Sequence, residues 1–144
     1  MPRMVSGILD HKGTGVWAVV PSDTMLRALE AMADHNIGAV LVLDGEELVG
    51  IVTERDYARK VKLFARGSGE TPVTEVMTTE ILTVRPSTTV AECMELMTNR
   101  RVRHLPVIGD DGGLAGLVSI GDVVKAMIAE QRDLIEQLER YITT

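Results

Sequence analysis

Cys93 is the only cysteine in a chain of 144 residues. No internal disulfide is possible, and this usage fits a reducing compartment, so a cytoplasmic location is expected. Aromatic residues are scarce: one Trp, two Tyr and one Phe make up 3% of the chain. That removes the stacking platforms on which single-stranded nucleic acid binds. Positive charge is also short, with 15 Lys and Arg against 21 Asp and Glu, a net −6. Duplex nucleic acid and membrane surfaces need a basic footprint, so neither is an expected partner. The longest apolar stretch, around Ala39 to Leu43, falls far short of the ~18 residues a membrane-spanning helix needs. The opening Met1–Gly7 has no long apolar core, so no signal peptide is expected. An anionic partner must then be small and held by a local cluster of cations.

The inventory for catalysis is thin. There is no Walker loop, no metal-ligand cluster and no Cys-His or Ser-His-Asp pattern, so no catalytic or metal-binding residue is assigned. Gly13-x-Gly15 lacks the third glycine and the preceding strand of a dinucleotide fingerprint.

The chain does repeat itself. Val16-Trp17-Ala18-Val19-Val20-Pro21-Ser22 returns, 65 residues on, as Ile81-Leu82-Thr83-Val84-Arg85-Pro86-Ser87. Met25, Leu29 and Met32 return as Val90, Met94 and Met97. Each set follows i, i+4, i+7, one buried helix face, with Ser22 or Ser87 placed to cap the start. A buried strand follows each helix, Ala39–Leu43 and His104–Ile108. Turn residues come next, Asp44-Gly45 and Asp110-Asp111-Gly112-Gly113, then a second strand, Leu48–Val52 and Leu114–Val118. Both strands run into a hydroxyl and an acid at a helix start, Thr53-x-x-Asp56 and Ser119-x-x-Asp122. The lead-ins repeat too: Val5, Ile8 and Leu9 mirror Val73, Val76 and Met77 at a shift of 68. The expected fold is α/β of the α+β type, two βαββα repeats at about 5–66 and 73–128 forming one domain over 1–144, with a C-terminal helix over about 120–142.

Gly50-Ile51-Val52-Thr53-Glu54-Arg55-Asp56, Gly116-Leu117-Val118-Ser119-Ile120-Gly121-Asp122 and Arg103-His104-Leu105-Pro106-Val107 together resemble the signature of tandem cystathionine-β-synthase (CBS) domains. The resemblance runs from about Val5 to Ile128 and is that of a stand-alone CBS pair. It implies two repeats related by a pseudo-two-fold axis, and a regulatory sensor of adenosine compounds rather than an enzyme. AMP heads the implied ligands, followed by ATP, ADP, NAD(H) and S-adenosylmethionine. By the resemblance, one ligand cleft uses Ser119, Asp122, Arg103 and His104, with Val16, Trp17, Ile37 and Gly38 lining its slot and Lys12 near the phosphates. The other uses Thr53, Asp56, Gly38 and Ala39, with Leu82, Val102 and Arg103 across from them. Gly38 and Ala39 carry no charge where the second repeat has Arg103 and His104, so Arg55 and Arg59 are the substitutes.

Residue chemistry agrees with that assignment. A carboxylate only accepts hydrogen bonds, which suits a ribose diol, and a helix N-terminus suits a phosphate. Asn99–His104 is a basic run inside an acidic protein. The plainer reading of Thr53-x-x-Asp56 and Ser119-x-x-Asp122 is a capping box, worth ~1 kcal/mol without any ligand. Arg55, Arg59, Lys60, Lys62 and Arg66 also read as the solvated face of a helix, His11 and His35 as surface residues, and Cys93 as a small buried hydrophobe. A ligand-free dimerisation adaptor and an enzyme acting on the bound nucleotide are the alternatives. The apolar stripe of the last helix, from Val123 to Ile142, points to a homodimer; a downstream protein partner cannot be named.

Overall fold

A computed structural model describes residues 3–13, 15–62 and 67–143. Met1, Pro2, the Thr14 of the first linker, Arg66 and the neighbouring residues 63–65, and Thr144 lie outside the described residues. The architecture is mixed α/β, and the chain forms two compact units, Val16–Ile81 and Met1–Gly15 with Leu82–Thr144. The units are therefore not cut at the repeat boundaries: each lead-in lies in the unit built from the other repeat.

In the first-repeat unit, β1 (Ala18–Val19) runs parallel to β2 (Ala39–Asp44), which pairs antiparallel with β3 (Glu47–Thr53), in the order β1-β2-β3. Helix α2 (Met25–His35) buries Met25, Ala28, Ala31 and Met32 in the core with Val40, Val42 and Val52. In the second-repeat unit, α4 (Val90–Arg100) buries Val90, Cys93 and Met97, and β4 (His104–Ile108) pairs antiparallel with β5 (Leu114–Ser119). Cys93 is fully buried, and burial pushes its thiol up to about 11, as a packing residue rather than a nucleophile requires. Both hairpins carry an irregularity at the same place, Val42/Leu43 and Val107/Ile108.

Two expectations change. Ser22 and Ser87 do not cap the helices; Thr24 and Thr89 do, each accepting a backbone N–H three residues on. Residues 21–22 and 86–87 form a turn first, so the helices start two residues later than caps at Ser22 and Ser87 would imply. The first strand of the second repeat also shrinks to one bridge, Val84 with Val107. In the first repeat the Leu41 N–H donates to Trp17 O at 3.1 Å. The matched residue is Pro106, which has no N–H to offer Leu82, so the pairing cannot extend.

The exchanged lead-ins are held in the same way twice. The Val5 N–H donates to Thr88 O (2.9 Å) and the Val73 N–H to Asp23 O (3.0 Å). In return the Val90 N–H donates to Arg3 O (2.9 Å) and the Met25 N–H to Thr71 O (2.8 Å). Helix α1 (Val5–Lys12) buries Val5, Ile8 and Leu9 against the second-repeat core; Val73 and Val76 are buried in the first-repeat core with Met77 packed on them. Each lead-in lies against a glycine. A Cβ on Gly116 would sit 2.7 Å from Leu9 Cδ2, and one on Gly50 would run into the Met77 side chain. Real Cβ atoms do not come that close, so the glycines of the two signatures are the seats of the lead-ins.

Gly116→Ala and Gly50→Ala are each expected to cost about 1–3 kcal/mol, the usual penalty for overpacking a filled core. Urea unfolding checks this, and a loss under 0.5 kcal/mol in both variants would show that the contacts are loose.

Candidate functional site

Each β-hairpin delivers its hydroxyl and its acid at the corner where the second strand becomes a helix. In the first-repeat unit the Asp56 N–H donates to Thr53 Oγ1 and the Thr53 N–H donates back to Asp56 Oδ2, both at 3.0 Å. In the second the Asp122 N–H donates to Ser119 Oγ at 3.3 Å and the Ser119 N–H to Asp122 Oδ2 at 2.8 Å. Both are capping boxes, so the plainer reading of the motif holds as far as it goes. The neighbouring strand is placed alike in each: Ala39 pairs with Thr53, and His104 with Ser119. Gly38 O accepts the Glu54 N–H at 3.1 Å, and Arg103 O accepts the Ile120 N–H at 2.8 Å.

The surroundings of the two acids differ. Lys12, the last residue of α1, places Nζ 2.7 Å from Asp122 Oδ2 and 3.0 Å from Leu117 O. Burial alone would push the Asp122 carboxyl up, but the Lys12 ammonium and the Ser119 N–H outweigh it and hold the group below the usual carboxylate range. His104 stands beside this pair. Burial first, and then the Lys12 charge, lower its imidazole below the ordinary value; Asp122 pulls the other way and Arg103 adds to the lowering. The second-repeat unit thus gathers Lys12, Arg103, His104, Ser119 and Asp122, with Leu82 and Val102 in the same unit.

The first-repeat unit contains Thr53, Arg55, Asp56, Arg59, Val16, Trp17, Ile37, Gly38 and Ala39. Arg55 and Arg59 are exposed, and among the described residues the ion pair of Asp56 is with Lys60, whose Nζ lies 3.8 Å from Oδ1. Its Nζ also donates to Val76 O at 3.0 Å. The i, i+4 spacing of Asp56 and Lys60 was a readable signal that the sequence analysis left on the solvated face. Helix α3 (Glu54–Asp56) passes into a π-helical stretch, Tyr57–Lys62, at this point. His35 was likewise missed: its ring stacks on Trp17 with centroids 3.5 Å apart and planes 4° from parallel. Trp17 remains 47% exposed with His35 stacked on it.

The sequence model of the CBS domain family matches residues 13–63 and 73–129. This chain belongs to the CBS domain family. It is 45% identical over 147 aligned residues to the mitochondrial CBS domain-containing protein CBSX3 of Arabidopsis thaliana, covering 96% of this chain and 71% of that one. Among solved structures, the CBS domain protein NE2398 superposes with a TM-score of 0.84 at 46% identity, covering 89% of this chain and 99% of that one. The CBS-domain protein ATU1752 of Agrobacterium tumefaciens gives 0.80 at 39%, with 86% and 98% covered. The CBS resemblance noted from the signatures is confirmed, and with it the mixed α/β fold of a CBS pair. Among the described residues, no group of three His, Cys, Asp or Glu could hold a metal ion, and no helix is long and apolar enough to cross a membrane.

The lowered values of His104 and Asp122 work in one direction. A group whose folded pKa lies below its unfolded value takes up its proton more readily in the unfolded chain, so stability falls as pH drops. For His104 the loss begins near the ordinary value of 6.5 and continues down to its lowered folded value; for Asp122 it begins near 3.8. Unfolding free energies measured in denaturant from pH 7.5 to 5 should therefore decline, and more steeply in the native protein than in His104→Gln. Equal slopes would mean that His104 titrates as an ordinary surface histidine.

Proposed function

We propose that this CBS pair is a regulatory module that binds an adenosine-containing ligand, AMP foremost, and transmits its presence without catalysing a reaction. The observation that carries this is the Asp122 corner. A carboxylate with one oxygen facing Lys12, beside a half-buried imidazole and the Arg103 guanidinium, combines an acceptor for a ribose diol with donors for a phosphate. Asp122 and Ser119 take the ribose, and Arg103, His104 and Lys12 face the phosphate. Lys12 now sits on Asp122, so ligand entry shares or displaces that ammonium. Thr53, Asp56, Arg55, Arg59 and Lys60 form the weaker counterpart, because Gly38 and Ala39 leave the sheet side uncharged. Val16, Trp17 and Ile37 of the first-repeat unit, and Leu82 and Val102 of the second, are the apolar residues we assign to contact with a base.

Two fold neighbours support the ligand class. A CBS domain protein of Pyrobaculum aerophilum, PAE2072, forms a complex with AMP, and the CBS pair of MJ0100 forms one with 5′-methylthioadenosine and S-adenosyl-L-methionine. At 21% and 22% identity these share the fold with this chain, and the ligand is inferred. The similarity to inosine-5′-monophosphate dehydrogenase of Korarchaeum cryptofilum spans only 21% of that enzyme, so it lends the chain no catalytic role. We take the assembly to be a homodimer and its compartment to be cytoplasmic. The completed capping boxes favour one competing reading, a ligand-free adaptor.

Thermal scans on nucleotide-stripped protein decide between them. AMP at a hundred times its Kd adds about 2.7 kcal/mol of apparent stability. Asp122→Asn keeps an acceptor for the cap but loses the charge, and should weaken AMP binding by tenfold or more; Asp56→Asn should affect the tighter event little. If AMP, ADP, ATP, NAD(H) and S-adenosylmethionine all leave the melting temperature unchanged, the adaptor reading stands.

A further inference from the structure

Eight of the twelve exposed large apolar side chains among the described residues lie on one helix, α5 (Ile120–Thr143). Its first turns are anchored: Val123 is buried, and Ala126 and Met127 pack on the second-repeat core. From Gln131 to Ile142 every residue is exposed. At ~1.5 Å per residue, that stretch extends about 18 Å; Arg3 reaches it, with Nη2 2.7 Å from Asp133 Oδ2, while its large apolar side chains stay more than half exposed.

The exposed residues are ordered. Val124, Ile128, Gln131, Ile135, Leu138 and Ile142 recur at spacings of four and three in strict alternation, the seam of a two-helix coil. The apolar members are 40% to 80% exposed. Met127, Leu134 and Tyr141 flank the seam on one side, and Lys125, Arg132 and Glu139 on the other. A bilayer surface suits this helix poorly: α5 holds five acidic residues (Asp122, Glu130, Asp133, Glu136, Glu139) against three basic ones, a balance of 3 − 5 = −2.

We infer that α5 docks on α5 of a second copy, antiparallel, with Val124 against Ile142, Ile128 against Leu138 and Gln131 against Ile135. The inference rests on the dimeric reading above and adds the surface, direction and register. The flanks choose the direction. Antiparallel pairing sets like flanks together, so Lys125 meets Glu139 of the second copy at both ends. On the other side Met127 meets Tyr141, and Leu134 meets its own copy on the two-fold axis. Arg132 also meets its copy there, with Glu136 one turn away on the same helix to offset it. Parallel pairing would set unlike flanks together, Met127 beside Arg132 and Leu134 beside Glu139, which puts charge against apolar side chains at every step.

Light scattering on the full chain, with cross-linking of cysteine variants by a short bis-maleimide, tests this. Cys93 is fully buried and stays silent. Val124→Cys and Ile142→Cys proteins should each fail to cross-link alone and should cross-link when mixed and left to exchange. Lys125→Glu should weaken dimerisation threefold or more at low salt, and adding Glu139→Lys in the same chain should restore it. A monomer at tens of micromolar overturns the dimeric reading and this inference together. A dimer in which each cysteine variant cross-links with itself overturns the direction. A dimer that never cross-links, or is indifferent to Lys125→Glu, places the interface elsewhere and overturns this inference alone.

Discussion

Leu9 on Gly116 and Met77 on Gly50 hold the exchanged lead-ins in place, and much else in the structure follows from that seating. A hairpin and one helix bury too little apolar surface to stand alone, so each repeat needs a further segment over its second strand. The segment it receives is the other repeat's lead-in, tied at its first residues by backbone hydrogen bonds to the start of α2 or α4. A side chain on either glycine would lift the segment away. The glycine three residues before the end of each strand is therefore a packing residue, and the hydroxyl and acid stand on a corner held from behind.

The exchange also sets the electrostatics. Because α1 lies in the second-repeat unit, its last residue, Lys12, reaches Asp122. The matched position of the other lead-in is Glu80, which offers no cation. The first-repeat unit brings up Lys60 from its own helix, and only to 3.8 Å. Two corners with the same capping geometry thus have different charge environments. One holds a tight ion pair beside a histidine whose imidazole burial and Lys12 hold below its ordinary value; the other has its acid at the end of α3, where the π-helical stretch begins.

Capping occupies one oxygen of the Asp122 carboxylate. The Ser119 N–H and Lys12 Nζ both fall on Asp122 Oδ2, and among the described residues none hydrogen-bonds to Oδ1. A capping box therefore does not exhaust the acceptor capacity of the acid. It fixes the side-chain rotamer at no cost to the second oxygen, the kind of preorganisation a binding group needs.

Much of this was legible in the sequence. Helical spacing located α2, α4 and α5, the run Ala39–Leu43 marked a buried strand, and the duplicated hydroxyl-x-x-Asp located both corners. Cap positions were misjudged by two residues because Pro21-Ser22 and Pro86-Ser87 make a turn before the helix begins, and one sequence signals both. The shortened strand at Val84 was also written in the chain, in Pro106, but reads as a missing N–H only once its partner is known. The exchange of lead-ins was not legible. Val5, Ile8 and Leu9 carry the same pattern as Val73, Val76 and Met77, and either set would satisfy either core on hydrophobicity alone. Local periodicity determined the elements and their buried faces, because those depend on residues a few positions apart. Which lead-in covers which repeat, and hence which acid Lys12 neutralises, depends on packing between residues far apart in the chain, Leu9 with Gly116 and Met77 with Gly50, and only the tertiary structure decides it.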